Sequence, residues 1–180
     1  MTRDEWREGT TFQRLHTACA KLRIRVTGTR AATCAHEAGH AVAADALGIA
    51  IDVITTWPFN GLDGGFWEAW MSTPAAPQSR VILHLAGAVA EALFTGRPEA
   101  WVLERYAAHD WARAVEIMDD TEAAVRRLLP ATRSLVQERI DEIDLVSAAL
   151  LRERDLSGAQ VEEILGRHWR AQRRLQRRAS

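Results

Sequence analysis

Apolar positions recur at two spacings along the chain, and the alternation between them marks out the elements. Phe12, Leu15 and Cys19 fall at helical intervals and predict a weak helix over 5–20. Leu22, Ile24 and Val26 then alternate with Lys21, Arg23 and Arg25, the pattern of a half-buried strand. Thr27-Gly28-Thr29 interrupts that pattern, and Thr29 is placed to cap a helix from Arg30 to Leu47 that Gly48 stops. Ile49, Ile51, Val53 and Thr55 alternate with Ala50, Asp52, Ile54 and Thr56, predicting a second strand up to Trp57-Pro58. Residues 59–65 carry turn chemistry, and Phe66 to Met71 return as a strand, giving a small hairpin beside the preceding helix. An exposed edge of that hairpin could hold an extended peptide by main-chain hydrogen bonds. Trp57, Phe66, Trp67 and Trp70 read first as core and only secondarily as an aromatic preference for substrate.

Pro74 and Pro77 precede a helix from about Gln78 to Phe94, closed by Gly96 and apolar nearly all round, which predicts a central position. His84 and Glu91 are its polar intrusions. A lone histidine there reads as a hydrogen-bonded core residue, whereas a buried carboxylate demands a partner. Thr95 to Ala108 reads as a loop, followed by a helix from His109 or Asp110 to Met118 and a restart at Asp119-Asp120-Thr121-Glu122 that continues to Leu129. Pro130 opens a helix over about 131–154, with Leu135, Ile140, Ile143, Val146, Leu150 and Leu151 on its buried side. Ser157-Gly158 breaks it, and a last helix carries Val161, Ile164, Leu165 and His168 before ending in Arg170, Arg173, Arg174, Arg177 and Arg178. That arginine run reads as a solvated helix end rather than a nucleic-acid contact. The expected fold is mainly α (α+β), a helical domain with a small sheet or hairpin beside the helix over 30–47. Residues 1–28 are expected to pack on or belong to it, 29–168 to form it, and 169–180 to be a basic end.

Composition narrows the function classes only a little. With 180 residues, 47% of them apolar and 26% charged, the chain has enough material for one domain with a sizeable core. A formal charge of −1 gives no reason to expect nucleic acid or an anionic membrane as partner. The longest apolar run, Val81 to Phe94, is too short to span a bilayer, and His84 and Glu91 interrupt it. The N-terminal residues contain no apolar signal region, so the protein is expected in the cytoplasm. Cys19 and Cys34 form neither a metal-type pair nor a disulfide framework. Cys34 precedes His36 by two residues, on nearly the opposite side of the helix, and its expected role is packing.

The chemistry lies in His36-Glu37-Ala38-Gly39-His40, a His-Glu-x-x-His run inside the predicted helix. Four residues of α-helix rise roughly 6 Å and turn about 40° past a full circle, so the two imidazoles stack on one face. Placed so, they can grip one metal ion, with Glu37 beside them within reach of a metal-bound water. Gly39 costs the helix roughly 1 kcal/mol relative to alanine, which suggests that a substrate or another chain segment passes close by, or a packing contact. A catalytic zinc takes a third protein ligand. The residues themselves leave Glu91, Asp110 and His109 as candidates.

The runs His36-Glu37-Ala38-Gly39-His40-Ala41-Val42 and Leu85-Ala86-Gly87-Ala88-Val89-Ala90-Glu91, then Asp110 followed by Ala114, resemble the peptidase domain of the FtsH-type membrane AAA proteases. Residues 149–158 are similar to that family's closing segment, and the resemblance spreads over about residues 32–166. It implies His36, His40 and Asp110 as zinc ligands, Glu37 as catalytic base, Glu91 as a supporting carboxylate, and assembly into rings. The chain departs from the family at Ala86, where a glycine is usual, at Ala88, where a basic residue is usual, and at His109, where asparagine is usual. It also contains no Gly-x-x-x-x-Gly-Lys-Ser/Thr and no membrane anchor. The expectation is therefore an ATP-independent zinc metallopeptidase that cuts peptides or flexible protein segments, alone, as a homo-oligomer or with a separate partner protein. Two rival expectations are a binding or regulatory module on the same fold and a zinc hydrolase with a non-peptide substrate.

Overall fold

The computed structural model describes residues 28–56, 66–68, 75–119 and 121–166. The helix and strand expected over 5–26, the turn at 59–65, Trp57 and Trp70, and His168 with the arginine run lie outside the described residues.

Two helices form the centre. Helix α1, Gly28–Leu47, is buried on all sides from Cys34 to Ala44. Helix α2, Pro77–Thr95, buries Val81, Leu83, Leu85 through Ala92, and Phe94. A helix this short of polar surface has to be packed on several sides, and α1 indeed packs most extensively on α2 and on α7, Ile140–Glu153. Both central helices stop as the sequence dictates. Gly48 and Gly96 take left-handed φ values of 68° and 66°, a conformation glycine adopts without a Cβ penalty. The start of α1 differs from expectation, because the helix already includes Gly28 and Thr29 lies within its first turn.

What lets α1 and α2 approach closely is the absence of two side chains. A Cβ on Gly39 would sit 2.6 Å from the Ala86 carbonyl oxygen and 2.7 Å from the Ala90 Cβ. A Cβ on Gly87 would collide with His40 and come within 2.8 Å of His36 Cδ2. The neighbour anticipated from Gly39 is thus the backbone of α2.

The sheet has three strands in the order β2-β1-β3. Strand β1, Val53–Thr55, pairs antiparallel with β2, Phe66–Glu68, in the register Val53↔Glu68, Ile54↔Trp67 and Thr55↔Phe66. The hairpin partner expected from the sequence is therefore present. Strand β1 is shorter than the alternation suggests. The Ile49 amide donates to the Ala44 carbonyl at 2.8 Å, so Ile49 belongs to the cap of α1. On its other side β1 pairs with β3, Asp155–Ser157, with Ile54 opposite Leu156 and both side chains buried. The Ser157-Gly158 break is the end of this strand. Gly158 is required there, because a Cβ would collide with the Ile51 carbonyl.

Four further helices surround this centre. Helices α3, Glu99–Arg105, and α4, Ala108–Ile117, follow α2, and α5, Glu122–Arg126, and α6, Leu129–Glu138, lead to α7. Helix α3 corrects the loop expected over 95–108. It is only seven residues long, and the Arg133 guanidinium of α6 ties down its Glu99 with bonds of 2.8 and 2.9 Å. The single helix expected over 131–154 is instead two, broken at Arg139, whose φ of −108° and ψ of 19° leave the helical range. The Arg139 side chain donates to Glu142 and, at 2.6 Å, to Asp45 at the end of α1. An eighth helical stretch begins at residue 158 and is described as far as 166, burying Val161 and Leu165. Among the described residues, no helix is long and apolar enough to cross a membrane.

The crossing of α1 and α2 yields a stability prediction. Gly39→Ala gains about 1 kcal/mol of helix propensity but forces a methyl against two groups that cannot swing aside, toward the upper end of the ~1–3 kcal/mol typical of overpacking. The net loss should be about 2 kcal/mol by urea denaturation of the metal-free protein; a stabilised variant would show that the helices separate at no cost.

Candidate metal centre

Three elements converge on the His-Glu-x-x-His face of α1. Helix α1 contributes His36, Glu37 and His40, the first turn of α4 contributes Asp110, and α2 lies across them with His84, Gly87 and Glu91. These α2 residues stand at intervals of three and four, on one face of the helix. The ligand atoms of His36, His40 and Asp110 lie within 4.8 Å of one another, and all three residues are buried.

The hydrogen bonds around the two imidazoles determine which nitrogens face inward. His36 Nδ1–H donates to Glu91 Oε2 at 3.0 Å, and His40 Nδ1–H donates to the Leu83 carbonyl at 2.8 Å. Both acceptors orient a ring so that its Nε2 is directed at the centre, the arrangement that commonly supports metal-binding histidines. The Asp110 Oδ2 atom lies 3.1 Å from His36 Nε2 and 3.5 Å from His40 Nε2. Three ligands about 2.0–2.1 Å from one ion at a tetrahedral angle stand about 3.3–3.4 Å apart, so these separations bracket the geometry of a shared zinc. Two imidazoles and a carboxylate also match zinc in donor type. The residues present therefore fit a metal ion, and Asp110 completes the group of three that could hold one.

Glu91 is not in that group. It holds His36 from behind, which is the supporting position. His109 is exposed at the start of α4, while its neighbour Asp110 turns inward, so the alternative of His109 as a ligand is not supported. His84 is the residue whose part the sequence did not reveal. Its Nδ1–H donates to Asp110 Oδ1 at 3.3 Å. It is hydrogen-bonded, as expected, but to Asp110. Its spacing from Gly87 and Glu91 was the available signal.

Charge in the metal-free site is shared among close neighbours. Burial lowers the His36 pKa, but hydrogen bonds to Asp110 and Glu91 and the charges of Asp110 and Glu37 outweigh it and raise it to about 10. Burial pushes Glu37 up to about 7 against attraction from His36 and His40, with repulsion from Asp110 and Glu91 adding to the rise. Burial also opposes ionisation of Asp110, yet attraction from His40 and hydrogen bonds from His36, His40 and His84 hold it well below the usual carboxylate range. Glu37 is 3% exposed, and its Oε2 has no hydrogen-bond partner among the described residues. A carboxylate oxygen buried in that way is costly, and it stands ready to accept a proton.

A metal ion would compete with a proton at His36 Nε2, with opposite consequences as pH changes. His36 and Glu37 both bind protons more tightly in the folded metal-free chain than their ordinary values of 6.5 and 4.5. Each contributes stability that is complete below its ordinary pKa and lost as pH rises through about 10 and about 7 respectively. Zinc requires deprotonated ligands, so its affinity moves the other way. Between about pH 6 and about pH 9 the chelator-treated protein should lose stability in denaturant titrations while zinc binds more tightly. Metal-free stability that climbs over that range would contradict the protonated His36. No protein-family model matches the chain and no curated protein matches it, so what the centre can do has to be read from these residues.

Proposed function

We propose that the protein is a cytoplasmic, zinc-dependent and ATP-independent metallopeptidase that hydrolyses peptide bonds in peptides or flexible protein segments. The observation that carries the reading is the meeting of His36 Nε2, His40 Nε2 and Asp110 Oδ2 beside the buried carboxylate of Glu37. His36, His40 and Asp110 would hold the ion. When bound, zinc acts as a Lewis acid that polarises a carbonyl and brings the pKa of a water toward about 7.

Glu37 is the general base. Its carboxylate takes a proton as water oxygen bonds to the scissile carbonyl carbon, then delivers that proton to the nitrogen as the carbon–nitrogen bond breaks. Glu37 lies on the same helix as His36 and His40, buried beside them, where its carboxylate can reach a water at the centre. Glu91 and the Leu83 carbonyl keep both imidazoles oriented through the cycle. The cytoplasm is favoured by a cysteine content with no disulfide framework. Support for an extended peptide as substrate comes from the sheet, where β2 stands at one end of the strand order among the described residues, the position at which a sheet can take up a further strand. The hydrolysis as proposed balances with water, the peptide and the proton carried by Glu37, and consumes no nucleotide.

Two variants test the reading together. By elemental analysis, wild type and Glu37→Gln should each carry about one zinc per chain, while Asp110→Ala should lose it. Cleavage of an unstructured protein, followed by mass spectrometry, should fall at least about 100-fold in Glu37→Gln. Cleavage retained in that variant would sink the assignment. Stable capture of the protein without turnover by the wild type would instead mark a binding module.

A further inference from the structure

The two oxygens of Asp110 face different partners, and this division carries an inference that rests on the metal reading above. Oδ2 lies 3.1 Å from His36 Nε2 and 3.5 Å from His40 Nε2, whereas Oδ1 lies 3.3 Å from His84 Nδ1. A carboxylate oxygen accepts, so the His84 ring nitrogen carries the hydrogen. The contact joins α2 to the first turn of α4, elements that pack against each other, and the His84 side chain is only 16% exposed.

The geometry points to His84 as a positioning residue that holds Asp110 to ligation through one oxygen, leaving a coordination position for water and substrate. Rotation about the Cβ–Cγ bond of an aspartate is soft. Without a restraint, Asp110 could swing Oδ1 toward the ion and bind through both oxygens. That would add a ligand where hydrolysis needs an exchangeable one, since a catalytic zinc keeps a position open. Helix α4 offers no help from its own cap, as no side chain caps its first turn and Ala107 precedes it. The restraint comes from across the interface, seven residues before Glu91 on the same face of α2. One face of this helix thus steadies a histidine ligand with Glu91 and the aspartate ligand with His84.

The test uses the full chain with cobalt in place of zinc, because cobalt absorption weakens as the coordination number rises. Wild type should show the intense visible bands of a four-coordinate ion. His84→Ala should weaken those bands and lower zinc affinity about 10–100-fold in competition with a chromogenic chelator. His84→Asn places an amide N–H close to the lost Nδ1–H and should restore both readings, which a merely space-filling role would not require. His84→Leu keeps bulk without a donor and should behave as alanine does; it stands in should the smaller side chain prevent folding. Cobalt spectra and affinities unchanged in a folded donor-free variant would overturn the role of His84 alone. A wild-type chain that takes up no metal would overturn the metal reading and this role with it.

Discussion

The structure depends on how closely α1 and α2 cross. Gly39 admits the Ala86 carbonyl and the Ala90 methyl, and Gly87 admits the imidazoles of His40 and His36. Each glycine lies opposite an occupied position on the other helix, so neither can acquire a side chain without moving the partner. Helix α1 is composed largely of alanine around its motif, and the same smallness lets α7 pack close on it as well. Dispersion falls steeply with separation, so a crossing this tight recovers contact that small side chains would otherwise lack.

The same crossing explains how so many ionisable groups can be buried. His36, Glu37, His40, Glu91 and Asp110 are each less than 9% exposed. Isolated charges at such depth would cost several kcal/mol apiece. Here the carboxylates of Glu91 and Asp110 flank His36 at 3.0 and 3.1 Å, so protons and opposite charges compensate one another. Burial alone would drive the acids up and the histidine down. The opposite directions found for His36 and Asp110 show that pairing prevails at those two positions, whereas at Glu37 desolvation does.

What was legible in the sequence is what local chemistry decides. The apolar period and terminal glycines placed α1 and α2 to within a few residues, and the His-Glu-x-x-His spacing placed two candidate ligands on one face. Elements defined by distant partners were not legible. Helix α3 is short and is anchored by Arg133 from α6. The break at Arg139 becomes intelligible only with Asp45 and Glu142 in place, and β3 only with β1 beside it. Residue chemistry left the third ligand open between Glu91, Asp110 and His109, and the resemblance favoured Asp110. Folding separates the three, with Asp110 inward, Glu91 behind His36 and His109 at the surface. The sign of His84's part required Asp110 to be in view.

The buried cluster around His36 is also a record of chain topology. His36 meets Glu91 across 55 residues of sequence and Asp110 across 74, while His84 meets Asp110 across 26. Contacts of such separation form only after the intervening chain has been ordered, since closing long loops is unfavourable until packing compensates for it. A chain in which α1 alone has formed displays His36, Glu37 and His40 without Asp110, Glu91 or His84. The complete cluster exists only once α1, α2 and α4 have docked, so a nascent or partly unfolded copy carries no assembled centre. Whatever chemistry the cluster supports therefore belongs to the folded chain alone, and is absent until the last of the three helices has docked.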